Sequence, residues 1–280
     1  MAMLPLRALA DRPIASAARD WLAQLGAMLA DRSTNRNRLC REILTELWYP
    51  EHAADWETAV DDSRLPVATR LMLASMDPCN VTLEPEYYSD CDQDRFQRVK
   101  PLLWLWYSFD RTALGGQNVW FGVELRRILA RHIFKRCGEN FKAFHYVEFS
   151  FGYNMEVGDN VVVHRNVLLD DRGGIVLGNN VSISDYANIY SHTHSIVEQK
   201  DVTNAVTRID DGVRITYHAT VLAGVHVNEQ GMVGAMAVAT KDVRPYHVYV
   251  GIPAKSVRVK PNAPPGVNVL RTSHERGSEG

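Results

Sequence analysis

The sequence has no long hydrophobic run and no excess of charge of one sign. Its 280 residues include 31 Lys and Arg against 33 Asp and Glu, which gives a formal net charge of −2. Because no apolar run approaches the ~20 residues of a membrane-spanning helix, we expect no membrane span. The near-zero net charge gives no reason to expect nucleic acid as a partner.

Cysteine is scarce, and its four residues are dispersed without a C-x-x-C pair: Cys40, Cys79, Cys91 and Cys137. A disulfide framework or a metal set therefore has no support, and we expect free thiols in a reducing compartment. The N-terminal stretch contains Asp11 and Asp20 and lacks the pattern of a secretory signal. We therefore predict a cytoplasmic protein without a bound metal.

The sequence does contain an aliphatic residue at every sixth position over long stretches between Val157 and Val243. Two interruptions break the series, one of two residues near Asp171 and one of about fourteen residues between Ile189 and Ile209. The aliphatic positions are Val157, Val163, Leu169, Leu177, Ile183, Ile189, Ile209, Ile215, Val221, Val227, Val233 and Ala239. Such a self-similar period is typical of repeat architectures.

A period of six fits neither a helix, which repeats near ~3.6 residues, nor a lone strand, which alternates its faces. It fits a short strand and a tight turn, with three such units forming one coil of a parallel β-helix. Equivalent aliphatic side chains then stack in neighbouring coils, and a dozen units predict about four coils. The alternative is an accidental period among β-sandwich strands, which a register held across two interruptions makes a poor explanation.

The residues before this series have helical periodicity, as in Ser16 to Ala30. Val119 to Arg136 predicts an amphipathic helix whose basic residues form a solvated face: Arg126, Arg127, Arg131, Lys135 and Arg136. The aromatic stretch Pro101 to Phe109 indicates a buried helix or strand, with an acyl or sugar stacking surface as the alternative. We assign residues 1–137 to a helical N-terminal region, 138–260 to the β-helix and 261–280 to a disordered tail.

The larger interruption begins with Tyr190-Ser191-His192-Thr193-His194. Segments that leave a regular scaffold often carry function. The two histidines could form a metal pair, serve only as polar loop residues, or provide a general base at the mouth of a cleft. No third metal ligand has a suitable spacing, so we favour the general base.

Several short motifs give residues 124–260 a resemblance to a known family. They are Gly138-Glu139-Asn140, Phe149-Ser150-Phe151-Gly152-Tyr153-Asn154, Asp170-Asp171, Thr240-Lys241-Asp242 and Gly251-Ile252-Pro253-Ala254-Lys255. In these motifs the chain resembles the hexapeptide-repeat acyltransferases, most closely the maltose, galactoside and nodulation-factor O-acetyltransferase branch. The resemblance implies a mainly β, left-handed parallel β-helix and a homotrimer with active sites between the prisms. It also implies acetyl transfer from acetyl-CoA to a hydroxyl of a sugar or related small molecule.

The resemblance further implies roles for individual residues. His194 corresponds to the catalytic general base, and Asp171 and Asn166 are expected to bind the acceptor. His192 either orients His194 or contacts the acceptor. The expected coenzyme A residues are Tyr217, Ala235, Thr240, Lys241, Lys255 and Arg258. At two positions the chain departs from the family pattern, because Arg214 replaces a usual tryptophan and Tyr217 replaces a usual small residue.

Three other functions stay open at this stage. One is an acyltransferase with a different acyl donor or an amine acceptor. A second is a non-catalytic β-helix scaffold, which the unusual Arg214 and Tyr217 motivate. The third is a carbonic-anhydrase-like trimer, which needs metal-binding histidines from both faces of a cleft between subunits. His194 and His218, twenty-four residues apart, make this third function remote.

Overall fold

The computed structural model describes residues 16–198 and 200–267. Residues 1–15 of the predicted helical region and 268–280 of the predicted tail lie outside the described residues. No helix within the described residues is long and apolar enough to cross a membrane. All four cysteines are free thiols.

The first part of the described chain is helical. Its α-helices are α1 (Ser16–Ala30), α2 (Arg36–Trp48), α3 (Trp56–Ala59), α4 (Val67–Met76), α5 (Gln93–Asp110), α6 (Ala113–Gly116) and α7 (Val119–Ile133). Short 3₁₀ turns connect some of them, at Pro50–His52, Pro78–Asn80 and Glu84–Tyr87. The predicted helix from Ser16 to Ala30 is confirmed as α1.

Short strands follow from Arg136 onward. They are β1 (Arg136–Cys137), β2 (Lys142–Ala143), β3 (Glu148–Phe149), β4 (Met155–Val157), β5 (Val162–Val163), β6 (Leu168–Asp170), β7 (Ile175–Leu177), β8 (Ser182–Ile183), β9 (Asn188–Tyr190), β10 (His192–His194), β11 (Val202–Asn204), β12 (Thr207–Ile209), β13 (Arg214–Ile215), β14 (Thr220–Val221), β15 (His226–Val227), β16 (Met232–Val233), β17 (Val238–Ala239), β18 (His247–Val250) and β19 (Lys255–Val259).

These strands build a parallel β-helix in which each coil contributes one strand to each of three sheets. The first sheet has the order β1-β4-β7-β12-β15, the second β2-β5-β8-β13-β16-β18-β19 and the third β3-β6-β9-β14-β17. Within these three sheets pairing is parallel except between β18 and β19, and β10 and β11 pair separately. The predicted fold class, a β-helix preceded by a helical region, is confirmed. The second sheet has six parallel strands, β2 to β18, which exceed the four coils expected because the solenoid begins at Arg136 and continues to β18.

The aliphatic residues of the six-residue series point inward and form the core of the solenoid. Val157 pairs with Leu177, which pairs with Ile209, and all three are at most 2% exposed. Each aliphatic side chain therefore packs against its equivalents in the coils above and below, where apolar burial contributes roughly 25 cal/mol per Å². This stacking explains why aliphatic residues recur at every sixth position of the sequence.

Two of the three corners of each coil are tight turns with left-handed backbone. At the first corner the residues are Asn140, Asn160, Asn180, Gly212, Gln230 and Tyr246, and at the second they are Tyr146, Asn166, Tyr186, His218 and Met236. Asparagine adopts this conformation at a lower cost than most residues. At the first corner Asn140 also donates from Nδ2 to Asn160 Oδ1 at 2.9 Å, which links successive coils.

The third corner, between a strand of the third sheet and the next coil, holds both interruptions of the series. Residues 171–174 join β6 to β7, and residues 191–206 join β9 to β12. The longer insertion forms an antiparallel hairpin of β10 and β11, with His192 opposite Asn204. Both insertions therefore leave the solenoid along the same edge.

Helix α5 carries the aromatic stretch and packs on the start of the solenoid. Trp106 is fully buried, donates from Nε1 to Val147 O at 3.1 Å and stacks edge-on against Phe149. The interpretation of Pro101 to Phe109 as a buried helix is confirmed. Helices and solenoid share one hydrophobic core.

The prediction that Arg126 lies on a solvated face is wrong. Its side chain is 2% exposed, and its guanidinium binds the equally buried carboxylate of Asp110. It also donates to Gly115 O at 2.8 Å and Ala143 O at 3.2 Å, while Tyr146 N donates to Asp110 Oδ2 at 2.6 Å. The pair therefore joins α5 and α7 to the first coil.

Removing one partner of this buried pair should destabilise the fold strongly. We expect Asp110→Ala to lower the free energy of unfolding by about 3–5 kcal/mol, because Arg126 is left buried and uncompensated. The matched control is Glu42→Ala, which breaks an exposed ion pair with Arg38 and should cost less than about 1 kcal/mol. Urea unfolding measures both, and equal losses would contradict the assignment.

Candidate active site

A cavity of about 400 Å³ lies between the helical region and the third sheet. Trp104 and Tyr107 of α5 form part of one wall, and Phe149 and Leu168 form part of the opposite wall. Polar side chains line the cavity too, namely Ser150, Asp170, Arg172 and His192 among others. A concave site with apolar walls and a few placed polar groups is typical of small-molecule binding.

Asp170 organises these polar groups. Its carboxylate is 3% exposed, and Oδ1 accepts a hydrogen bond of 2.6 Å from Ser150 Oγ. Oδ2 contacts Nδ1 of His192. Because a carboxylate only accepts hydrogen bonds, His192 donates from Nδ1, and in the neutral ring Nε2 keeps its lone pair. Asp170 thus fixes both the orientation and the tautomer of His192.

His194 lies two residues further along β10. Side chains at this spacing project from the same face of a strand, and the two imidazole rings lie edge to face with centroids 5.2 Å apart. His194 is exposed, whereas the side chain of His192 is 18% exposed and lines the cavity. The hairpin therefore presents one imidazole on the cavity wall and the other just beyond it.

The base of the hairpin is fixed by Ser191, which is fully buried. Its Oγ donates to the backbone oxygen of Asp170 and accepts from Gly173 N at 2.8 Å. A Cβ atom at Gly173 would lie 2.2 Å from Ser191 O, so only glycine allows this approach. The first insertion therefore holds the second in position.

Asp171, predicted to bind the acceptor, lies beneath the third corner and is fully buried. Its Oδ1 accepts from Phe151 N and Gly152 N at 2.7 and 2.9 Å, and Oδ2 accepts from Asn154 N at 3.0 Å. Burial raises the pKa of this carboxyl to about 6, although the three backbone donors favour the charged form. Among the described residues it is Asp170, and not Asp171, that lines the cavity.

Asn166 occupies a different corner from the other predicted acceptor residues. It takes the left-handed turn of the second corner, with φ of 54°, and its backbone N–H donates to His145 O. It is not among the described residues that line the cavity. The structure thus brings His192 and His194 together, after the C-terminal end of β9. Asn166 lies at the other end of the third-sheet strands, before the start of β6.

The predicted coenzyme A residues lie along the last coils and beyond. Tyr217 is 48% exposed, with its ring against Tyr186 and His218. Its backbone oxygen accepts from Met236 N at 3.0 Å, which brings it beside Ala235 in the next coil.

The remaining predicted donor residues either follow β17, the last strand of the third sheet, or lie on β19, the final strand. Thr240 and Lys241 are exposed at the third corner, directly after β17. Lys255 and Arg258 are exposed on β19. The turn before β19 is tied to β17, because Ala254 N donates to Val238 O at 2.8 Å. The predicted donor residues therefore border the open end of the third sheet, and the cavity covers its other end.

Three features of the site were not predicted from the sequence. Ser150 lies within a family motif, and Asp170 is the other half of the Asp170-Asp171 pair, so both had a signal. The third feature is Arg172, which pairs with Asp90 at 2.9 Å and stacks on the ring of Tyr88 at 4.3 Å. No local pattern marks that contact, because its partners are 82 residues apart.

Within residues 16–198 and 200–267, no group of three or more His, Cys, Asp and Glu side chains could hold a metal ion. The two histidines of β10 are accompanied by one carboxylate, that of Asp170, and it is already bonded to Ser150 and His192.

No family model matches the chain, but it is similar in sequence to several known proteins. It is 31% identical over 144 residues to a putative acetyltransferase of Staphylococcus aureus (strain MRSA252), covering 50% of this chain and 72% of that protein. It is 28% identical over 140 residues to the galactoside O-acetyltransferase of Escherichia coli (strain K12), covering 49% and 69%. A solved galactoside acetyltransferase in complex with coenzyme A shares the fold, with a TM-score of 0.54, 24% identity and coverage of 62% and 85%.

The coiled parallel sheets define a parallel β-helix, the fold that the chain shares with the solved galactoside acetyltransferase. The chain belongs to the hexapeptide-repeat acyltransferase family, and the galactoside O-acetyltransferase is among its relatives. The family relationship makes the protein an acetyl-transferring enzyme.

The raised pKa of Asp171 gives a prediction for stability. Between the ordinary value near 3.8 and about 6 the folded state holds a proton that the unfolded chain releases. Stability from this group is therefore greatest below about pH 4, falls as the pH rises to about 6, and is constant above.

Asp171→Asn removes this titration. We expect the stability difference between wild type and the variant to shrink from pH 4 to pH 7 by about 1.4 kcal/mol per unit of pKa difference. Urea unfolding at several pH values measures it. A difference that grows with pH would instead mean that the three backbone donors hold the pKa of Asp171 below its ordinary value.

Proposed function

We propose that this enzyme is an O-acetyltransferase that moves the acetyl group of acetyl-CoA to a hydroxyl of a sugar or related small molecule. The main support is the position of the hairpin. It holds His192 and His194 between the cavity, which covers β3 and β6, and the β17 end of the third sheet. Support for the donor and acceptor classes comes from relatives, one named galactoside O-acetyltransferase and one solved with coenzyme A.

The acceptor binds in the cavity in this proposal. Apolar walls from α5 and the solenoid would cover its carbon skeleton, and the polar group of Ser150, Asp170 and His192 would bind its hydroxyl groups. We propose Asp170 as the acceptor-site carboxylate in place of Asp171, because Asp171 is fully buried and already accepts three backbone hydrogen bonds. Asn166 lies outside the cavity, so its proposed role in acceptor binding would have to be at a site shared with a neighbouring chain of the proposed trimer.

His194 is the proposed general base. Imidazole can accept and release a proton near neutral pH. His194 would take the hydroxyl proton as the acceptor oxygen attacks the carbonyl carbon of the thioester. A C–O bond forms, the C–S bond breaks, and the proton ends on the sulfur of coenzyme A. The products are the acetyl ester and free coenzyme A.

The donor would lie along the open end of the third sheet. Ala235 and Thr240 border it on either side of β17, and neither carries a long side chain that would fill the surface. Lys241, Lys255 and Arg258 would meet the phosphate groups, where charge-assisted hydrogen bonds are strongest. The exposed ring of Tyr217, beside Ala235, would contact the donor on the opposite side.

We propose a homotrimer in which a neighbouring chain completes the donor site. The tip of the hairpin supports this, because Ile196 and Val197 are 103% and 90% exposed there and have no partner surface within the described chain. Three chains would bury such tips in closed symmetry. Sedimentation at the mass of one 31.6 kDa chain would contradict the trimer.

The remaining sequence-based assignments also stay proposals. We keep the division into a helical region (1–137), a β-helix (138–260) and a tail (261–280), with the first strand at Arg136 close to the boundary. We also keep the cytoplasm as the compartment, which suits a chain with four free cysteines.

Loss of the proposed base should abolish most of the activity. We expect His194→Ala to lower kcat by roughly 10²–10⁴-fold, the usual contribution of general-base catalysis. The measurement is release of free coenzyme A from acetyl-CoA with a panel of sugars, amines and alcohols. His226→Ala is the matched control, because His226 pairs with Asp210 on another sheet. Near-wild-type turnover of His194→Ala, or transfer only to amines, would contradict the proposal.

The basic residues of β19 should act on donor binding alone. We expect the double variant Lys255→Ala, Arg258→Ala to raise KM for acetyl-CoA about tenfold with little change in kcat. Because these contacts are exposed, added salt should raise KM in wild type and have less effect in the variant. Arg38→Ala, a charge loss on α2, is the control. A fall in kcat at unchanged KM would be inconsistent with phosphate binding.

A further inference from the structure

The contact between Asp170 and His192 goes beyond what the proposed base requires. Asp170 is almost completely buried, and each of its carboxylate oxygens already has a partner, Ser150 on one side and His192 on the other. Ser191 Oγ donates a hydrogen bond to the backbone oxygen of Asp170 and so holds its main chain. The His192 ring is therefore held at its Nδ1 edge by a buried carboxylate whose other oxygen is bonded to Ser150.

The opposite edge of the His192 ring has no such partner. Within the described residues Nε2 of His192 makes no hydrogen bond, and the residue lines the cavity. With the proton on Nδ1, Nε2 is a hydrogen-bond acceptor. A hydroxyl is a suitable ligand for it, because a hydroxyl donates one hydrogen bond and still offers lone pairs to other groups.

His192 and His194 project from the same face of one strand with ring centroids 5.2 Å apart. Each imidazole would hold a hydroxyl oxygen at about 2.8 Å. Oxygens on neighbouring carbons are close enough to be bound by two rings at this separation, whereas a lone hydroxyl would use only one of them. The fixed ring suits binding, and the exposed ring suits proton transfer.

We propose that the acceptor is a diol and that His192 is a positioning residue for it. His192, oriented by Asp170, accepts a hydrogen bond from the hydroxyl next to the one that His194 deprotonates. The second hydroxyl keeps its proton and sets the distance and angle of the reacting oxygen. This inference rests on the proposed O-acetyl transfer and adds the chemical pattern that the acceptor must carry.

The test compares acceptors that differ by one hydroxyl. Acetyl transfer is measured with methyl β-D-galactopyranoside, methyl β-D-glucopyranoside and their mono-deoxy derivatives. In wild type we expect loss of the hydroxyl adjacent to the acetylated one to lower kcat/KM by about 10²-fold or more, because a site built around a hydroxyl rejects the analogue that lacks it.

The deciding variant is His192→Asn, which keeps a donor near Asp170 and removes the Nε2 acceptor. The intact diol should lose about the same factor of 10² in this variant, and the deoxy derivative should show little further loss, since the two changes remove one interaction. His226→Asn is the control, because it alters a second histidine–aspartate pair outside the cavity and should keep the wild-type ratio. A wild-type ratio in His192→Asn, or equal turnover of diol and deoxy acceptors by wild type, would overturn the proposal.

A second measurement keeps the inference testable if none of these sugars is acetylated, an outcome that would count against the proposed sugar acceptor. Nitrogen-15 imidazole spectra of the wild-type protein are recorded with cis-1,2-cyclohexanediol and with cyclohexanol. The proposal expects a shift of the His192 Nε2 resonance with the diol, absent in Asp170→Asn, and a much smaller one with the mono-alcohol. Equal shifts with both compounds, or none with the diol, would overturn it.

Discussion

The inward stack of aliphatic side chains is the constraint on which the rest of the molecule depends. Val157, Leu177, Ile209 and Val227 form one row inside the first sheet, each at most 2% exposed. A shift of one residue along any strand would turn such a row outward. Extra residues can therefore be accommodated only between strands, and both insertions leave at the third corner. The candidate site lies where they leave.

The first insertion also explains how the helical region is held. Asp171 uses its carboxylate to bind the backbone of residues 151–154, and Tyr153 of that segment contacts Arg95 of α5. Its neighbour Arg172 reaches the segment before α5 by pairing with Asp90. Partial burial opposes ionisation of Asp90, but hydrogen bonds from Arg172 and Asn204 hold its pKa below the usual value. The corner that shapes the cavity is thus also the joint between the two regions.

Sequence reasoning predicted the repeated strands and core rows of the solenoid, and it missed contacts that do not follow the repeat. The six-residue period was sufficient for the strands, the core rows and the extruded loop that contains His192 and His194. It could not decide between Asp170 and Asp171, because the two-residue insertion breaks the rule that assigns side chains to faces. Helical periodicity likewise predicted Arg126 on a solvated face, since only the fold reveals that Asp110 is buried opposite it. The cavity wall depends on contacts between distant parts of the chain, which no local pattern encodes.

The hairpin of β10 and β11 combines a fixed base with an exposed tip, and this contrast bears on function. An isolated two-stranded hairpin is only marginally stable in water. Here Ser191 anchors the base to Asp170 and Gly173, so His192 directly follows the anchored base of the insertion. The tip at Ile196 and Val197 has no such support from the described chain. In the proposed homotrimer a neighbouring subunit would cover the tip, and His194, which lies between base and tip, would then lie close to the interface between subunits.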